Sequence, residues 1–215
     1  MAQKIGKICM VLGALLILGS VALLGYNQWD ANRADQASQE ALGKLEETLN
    51  ETITEQQAES VVLQPELDPE QEMTATEIDG WEYIGYLSIP SIGRELPVMS
   101  QWSYAGLKVA PGRYSGSTYA DNMVVCAHNY AKHFSPIKWL ALGTEVYFTD
   151  MDGLRWSYEV TNVETIQPTD IEKMITADDQ DDWDLTLFTC TTGGRARCAV
   201  RCKRTAYPAA AEPET

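Results

Sequence analysis

The sequence predicts an all-β domain, a barrel or a sandwich, carried on an N-terminal transmembrane helix and a helical stalk. Three observations carry that expectation. Ile8 to Tyr26 is a run of 19 residues without a charge. The charge then divides the chain: Asp30 to Asp79 holds 14 acidic and two basic residues, a net of −12, whereas Gly80 to Tyr207 holds 15 acidic and 12 basic, a net of −3. Beyond Gly80 the apolar residues come in short runs broken by Gly, Pro and Asp, which is the signature of strands and tight turns. A chain of 215 residues, 45% hydrophobic and 22% charged, can hold one core and an appendage, and it is not a disordered polymer. A net charge of −15 makes nucleic acid a poor general partner.

These divisions give five segments: a cytoplasmic N-terminus 1–7, a membrane anchor 8–26, an acidic stalk and linker 27–80, a catalytic-sized domain 81–207 and a disordered tail 208–215. At about 1.5 Å per residue the anchor spans roughly one hydrocarbon core. Lys4 and Lys7 precede it and the next basic residue is Arg33, so the N-terminus is expected in the cytoplasm and the domain outside. Ser20-Val21-Ala22 is a weak cleavage-site pattern, but the apolar run continues past it, which favours an uncleaved anchor.

In the stalk, Leu42, Leu45, Leu49 and Ile53 repeat at three–four spacing with Glu46, Glu47, Glu51 and Glu55 between them, a helix with one apolar stripe. The stripe suits a partner helix or a spacer lying on its own domain, and its shortness favours the spacer. Pro65 and Pro69 among acidic residues indicate an extended linker. Strands follow at Tyr83–Ile89, Leu96–Val98, Met123–Ala127, Val146–Phe148, Trp156–Val160, Leu185–Thr189 and Cys198–Cys202, with Asp152-Gly153 as a hairpin turn.

Chemistry concentrates at strand ends. Cys190 closes an apolar strand and precedes Thr191-Thr192-Gly193-Gly194; His128 stands directly after the apolar run ending at Ala127; Arg197 opens the strand after the glycine turn. Active groups are held at such strand-to-loop edges. A thiolate attacks a carbonyl, an imidazolium protonates the leaving amine, and a guanidinium holds the oxyanion, a set suited to acyl transfer. In strand alternation Arg197, Ala199 and Arg201 share one face, while Cys198, Val200 and Cys202 share the other. Cys126, Cys198 and Cys202 then read as small apolar filler. His133 reads as a surface or loop residue. A zinc site of Cys126, His128 and Cys190 lacks any C-x-x-C pair.

These residues resemble a sortase. Thr186-Leu187-Phe188-Thr189-Cys190 matches the family's T-L-x-T-C signature, Arg197-Cys198-Ala199-Val200-Arg201 its R-x-x-V-R strand, and Met123–His128 the strand that ends in the catalytic histidine. Ile84–Pro90 with Ile92-Gly93 and Leu96-Pro97-Val98 is similar to the family's first strands, and the likeness runs from about Trp81 to Lys203. Two departures stand out: Ala127 replaces the usual glycine before the histidine, and the Cys190-to-arginine interval is short, which makes Arg195 the competitor of Arg197. The resemblance implies a closed barrel of about eight strands with short helices. It implies a membrane-anchored cysteine transpeptidase that cleaves an LPxTG-like sorting signal of secreted proteins and joins the acyl group to a cell-wall precursor (lipid II-like) amine. Cys190, His128 and Arg197 would be catalytic, with backbone N–H groups near Thr191 helping at the oxyanion, and Thr189 and Thr191 would contact substrate. No cofactor is implied, although some members bind calcium in a loop comparable to the acidic run Asp178-Asp179-Gln180-Asp181-Asp182 with Asp184. The rival readings are a tethered β-barrel binding module without catalysis and a purely hydrolytic cysteine peptidase.

Overall fold

The computed structural model describes residues 2–58, 67–175 and 183–211. Helix α1 (Ala2–Ala58) is followed by β1 (Thr76–Ile78), β2 (Trp81–Ile89), β3 (Arg94–Met99), β4 (Gly112–Ser115), β5 (Met123–Ala127), β6 (Glu145–Asp150), β7 (Leu154–Ile166), the one-turn helix α2 (Glu172–Ile175), β8 (Leu185–Cys190), β9 (Arg197–Arg204) and β10 (Ala209–Ala210). The strands pair in the order β2-β3-β4-β5-β8-β9-β7, and β6 bonds to both β7 and β2, so eight strands close into a barrel. Closure leaves β1 and β10 as short additions on β2 and β7.

Alternation along β5, β8 and β9 sorts side chains to two faces. Met123, Val125, Leu185, Leu187, Val200 and Cys202 point inward and join the main core, which Phe134, Ile137 and Leu140 plug at one end. Val124, Cys126, Phe188 and Ala199 point outward into a second apolar cluster, covered by Ile166, Met174 and Trp183. Closing the barrel needs a bulge between Tyr83 and Gly85. A side chain at Gly85 (φ +143) would meet the Thr149 carbonyl oxygen at 2.0 Å, so only glycine lets β2 approach β6 there.

Helix α1 is continuous from the apolar run into the stalk. Side chains from Ile8 to Tyr26 are exposed, and this is the one helix among the described residues that is long and apolar enough to cross a membrane. The stripe expected on the stalk is buried: Ala41, Leu45, Leu49 and Ile53 pack on Ile78, Tyr83, Met99 and Met151. The stalk is thus a helix lying on its own domain. Four local expectations change. The short strand β4 has too little alternation to be seen in sequence, and β7 runs on to Ile166 past a bulge at Val160/Asn162. The tail, expected to be disordered from Pro208, contributes β10, and Ala211 is buried against the stalk cluster because its small side chain fits there. His133 is fully buried, not a surface residue, since its loop is clamped under α1.

Candidate active site

The strand pairing fixes the site. β5 and β8 run parallel with Ala127 opposite Thr189, so His128 and Cys190 are the next residues on adjacent strand ends. β8 and β9 run antiparallel with Cys190 opposite Arg197. All three fall on the outward face, and all three line one cleft of about 400 Å³ together with Trp102, Tyr114 and Phe188. Trp102 stacks on Tyr114 at 5.6 Å and Tyr114 meets Phe188 edge-on at 5.3 Å, giving the cleft an aromatic floor. Pro168, Ile171 and Met174 form the opposite wall.

Arg201 holds that wall. Lying two steps along β9 from Ala199, it is 5% exposed. Its guanidinium donates to Glu164 at 2.8 Å, to the Thr186 hydroxyl at 2.8 Å and to the carbonyls of Met174 and Lys173, while its plane lies 4.7 Å from the Trp183 ring. Arg197, on the same face, is half-buried and, among the described residues, bonds only to the Gly194 and Ala196 carbonyls, at 3.3 and 3.1 Å. Its side chain lines the cleft. Arg195 is exposed in the turn and does not line the cleft. Gly193 and Gly194, both at positive φ, make the turn that brings Arg197 back beside Cys190.

The two threonines brace the strand ends on which the site is built. Thr189 is 2% exposed and its hydroxyl donates to the Ala127 carbonyl at 2.8 Å, cross-bracing β5 and β8 one residue before the thiol and the imidazole. Thr191 closes the turn: its hydroxyl bonds both backbone groups of Ala196, and its own N–H donates to the Ala196 carbonyl at 3.0 Å. That N–H is therefore committed within the turn.

Burial separates Cys190 from the barrel's other three thiols. Burial pushes Cys126 up to about 12 and raises Cys198 and Cys202, so these three stay protonated and inert. Cys190 is half-buried at the mouth. Burial lowers the pKa of His128, and the Asp30 carboxylate opposes that shift. Asp30 belongs to α1, 100 residues away, and accepts a hydrogen bond of 2.7 Å from Tyr130, whose ring centroid is 5.2 Å from that of His128. The Arg33 guanidinium holds the same carboxylate at 2.9 Å. Sequence patterns gave no sign of Tyr130 or Asp30; only Tyr130's place two residues after the histidine hinted at it. The acidic run compared with the calcium loop of some family members lies at 178–182, outside the described residues. Asp184 is described, and it spends its oxygens on Lys203 and the Arg204 N–H. Among the described residues no group of three His, Cys, Asp or Glu side chains is arranged to hold a metal.

Comparison with known proteins identifies the family and the fold. The sortase domain family matches residues 87–205. Sortase A of Bacillus anthracis is 28% identical over 198 residues, covering 88% of this chain and 89% of the relative. The crystal structure of Streptococcus pneumoniae sortase C is 28% identical with a TM-score of 0.56, over 79% of this chain and 98% of that one. Sortase A of Corynebacterium diphtheriae, at 21% identity, shares the fold with a TM-score of 0.52 over 86% of this chain and 96% of that one.

Proposed function

The chain belongs to the sortase family of cell-surface cysteine transpeptidases, and from that premise we propose that it is a single-pass membrane enzyme acting on an LPxTG-like sorting signal. The observation that carries the reading is the meeting of Cys190, His128 and Arg197 in one cleft through three register-fixed strand ends.

In this mechanism the Cys190 thiolate attacks the carbonyl of the threonine in the signal. A C–S bond forms as the carbonyl π electrons move to oxygen, and the free Arg197 donors hold that oxyanion. His128, as imidazolium, gives its proton to the departing amine as the C–N bond breaks, leaving a thioester and a neutral imidazole. An incoming amine, from a lipid II-like cell-wall precursor, attacks the thioester; His128 takes its proton and the thiolate leaves. The aromatic floor and the α2 wall keep water away from the thioester, which favours aminolysis over hydrolysis. The apolar segment Ile8–Tyr26 anchors the enzyme, with Lys4 and Lys7 keeping the N-terminus cytoplasmic. Tethering raises the effective concentration of membrane-bound substrates.

Incubation of the full chain with an LPxTG-type peptide, followed by mass spectrometry, tests this. An acyl adduct on Cys190 that an added amine converts to a ligated peptide is the expected outcome. Cleavage that amine leaves unaltered, with water as sole acceptor, identifies a hydrolase. Absence of both adduct and cleavage with every signal peptide tried leaves the binding-module reading.

A further inference from the structure

The contacts of α1 orient the barrel relative to the anchor. Moving away from the apolar segment, the helix meets Tyr130 at Asp30, then the Glu95 carbonyl at Gln39, then Asp79 at Lys44. Asp30 is four residues past Tyr26, about 6 Å along the axis. The barrel end nearest the anchor is therefore the one bearing the connections 90–93, 128–144 and 191–196, and the far end bears Asp79, Asp121, Asp152 and Asp184.

The near end has a chemistry that acyl transfer does not use. Its three connections contain Lys132, Lys138 and Arg195 and no acidic residue, in a chain of net charge −15. Of the carboxylates beside it, Asp30 is held by Arg33 and Tyr130, Asp170 lies 3.6 Å from Lys173, and Glu145 stands exposed at the start of β6. Trp139 and Leu142 stand 80% and 68% exposed in the same connection that carries the two lysines. The Lys138 ammonium lies 5.4 Å from the Trp139 ring centroid. A solvent-exposed tryptophan and leucine flanked by lysines suit a headgroup boundary, where the indole sits among headgroups and the ammonium groups meet phosphates.

We propose that this end of the barrel rests on the bilayer that holds α1, with Trp139 and Leu142 at the headgroup–acyl boundary and Lys132 and Lys138 on anionic phospholipid headgroups. The proposal depends on the anchor reading made above. Helix docking sets this orientation, since the far-end carboxylates Asp79, Asp121 and Asp184 are matched by Lys44, Arg204 and Lys203.

The full chain reconstituted into phosphatidylcholine vesicles containing brominated lipid, with and without phosphatidylglycerol, tests it by tryptophan quenching. Trp29 reports the anchor and Trp139 the barrel. Lipid quenching should include one component that Trp29→Phe removes in either lipid, and a second, stronger with phosphatidylglycerol, that Trp139→Phe removes. Lys132→Glu with Lys138→Glu should abolish the second component and lower the docked-to-undocked ratio by roughly tenfold or more. Amide exchange of 136–143 in the unmodified chain should slow on adding phosphatidylglycerol. If Trp29 is quenched while Trp139→Phe changes nothing and exchange is unaltered, the anchor stands and the proposal is overturned. If neither tryptophan is quenched, the anchor reading falls and takes the proposal with it.

Discussion

Arg197 and Arg201 lie on the same strand, point to the same side and are four residues apart, yet they hold opposite positions in the molecule. Arg201 is 5% exposed and its donors are used on a carboxylate, a hydroxyl and two carbonyls. Arg197 is half-buried and bonds only to carbonyls of its own turn. The cysteines divide the same way: Cys126, Cys198 and Cys202 are buried thiols, and Cys190 alone of the barrel's four is at the mouth. What separates the two regions is the position along the strand. Toward the middle a polar group must be fully bonded to be tolerated; at the end the sheet stops supplying partners, and a group can be held while keeping bonding capacity for a substrate.

The sharpest attack on this contrast is at the thiols. Cys190→Ala should abolish thioester formation and cut turnover by about 10³-fold or more with an unchanged melting temperature, whereas Cys126→Ala should leave an active enzyme; a chain that still forms the adduct without Cys190 breaks the assignment. The arginines come next. Arg197→Ala should lower kcat/KM by about 10²-fold at unaltered stability, and Arg201→Ala should cost about 3–5 kcal/mol of unfolding free energy, measured by denaturant titration, because Glu164 loses its partner and α2 its anchor. If Arg195→Ala is damaging and Arg197→Ala silent, the pairing of Cys190 with Arg197 does not describe the working enzyme.

A smaller effect comes from the two histidines, again one closed in and one at the cleft. Burial depresses His133 to about 4 from an ordinary value of 6.5, with the Ala34 backbone and Asp35 opposing. It is neutral in the folded chain, and the unfolded chain takes up its proton first. Stability should therefore fall as pH drops from about 6.5 toward 4, by about 2 kcal/mol at pH 5 relative to pH 7. His133→Gln should flatten that dependence in melting curves. The smallest shift belongs to His128. Asp30→Asn removes the negative charge that favours its imidazolium, so its titration midpoint by NMR should move further down, carrying the pH–rate profile with it. A midpoint that stays put or rises would detach α1 from the site's electrostatics.

The legible parts of this molecule are those set by local repetition. The uncharged anchor, the Leu42–Leu45–Leu49–Ile53 stripe and the strands around Cys190 and His128 follow from spacing, and the sidedness of β9 follows from period two. The glycine pair after Cys190 announced the turn that returns Arg197. Hidden were features made by distant partners. β4 is four residues long and owes its existence to β5 and β3. Thr189 belongs to the family signature, and its burial against Ala127 comes from a parallel pairing across 62 residues. His133 reads as a surface position because nothing in its own segment announces the helix above it. The Asp30–Tyr130 bond joins segments 100 residues apart, beyond any local pattern.

Strand β8 sits between β5, read long before it, and β9, read after it. The thiol and the imidazole come together only once β8 has slotted beside β5, and the guanidinium is added only when β9 closes the edge. A chain emerging from its N-terminal end therefore carries His128 for more than sixty residues before Cys190 joins it. The last quarter of the sequence is the switch that turns a growing polypeptide into an enzyme.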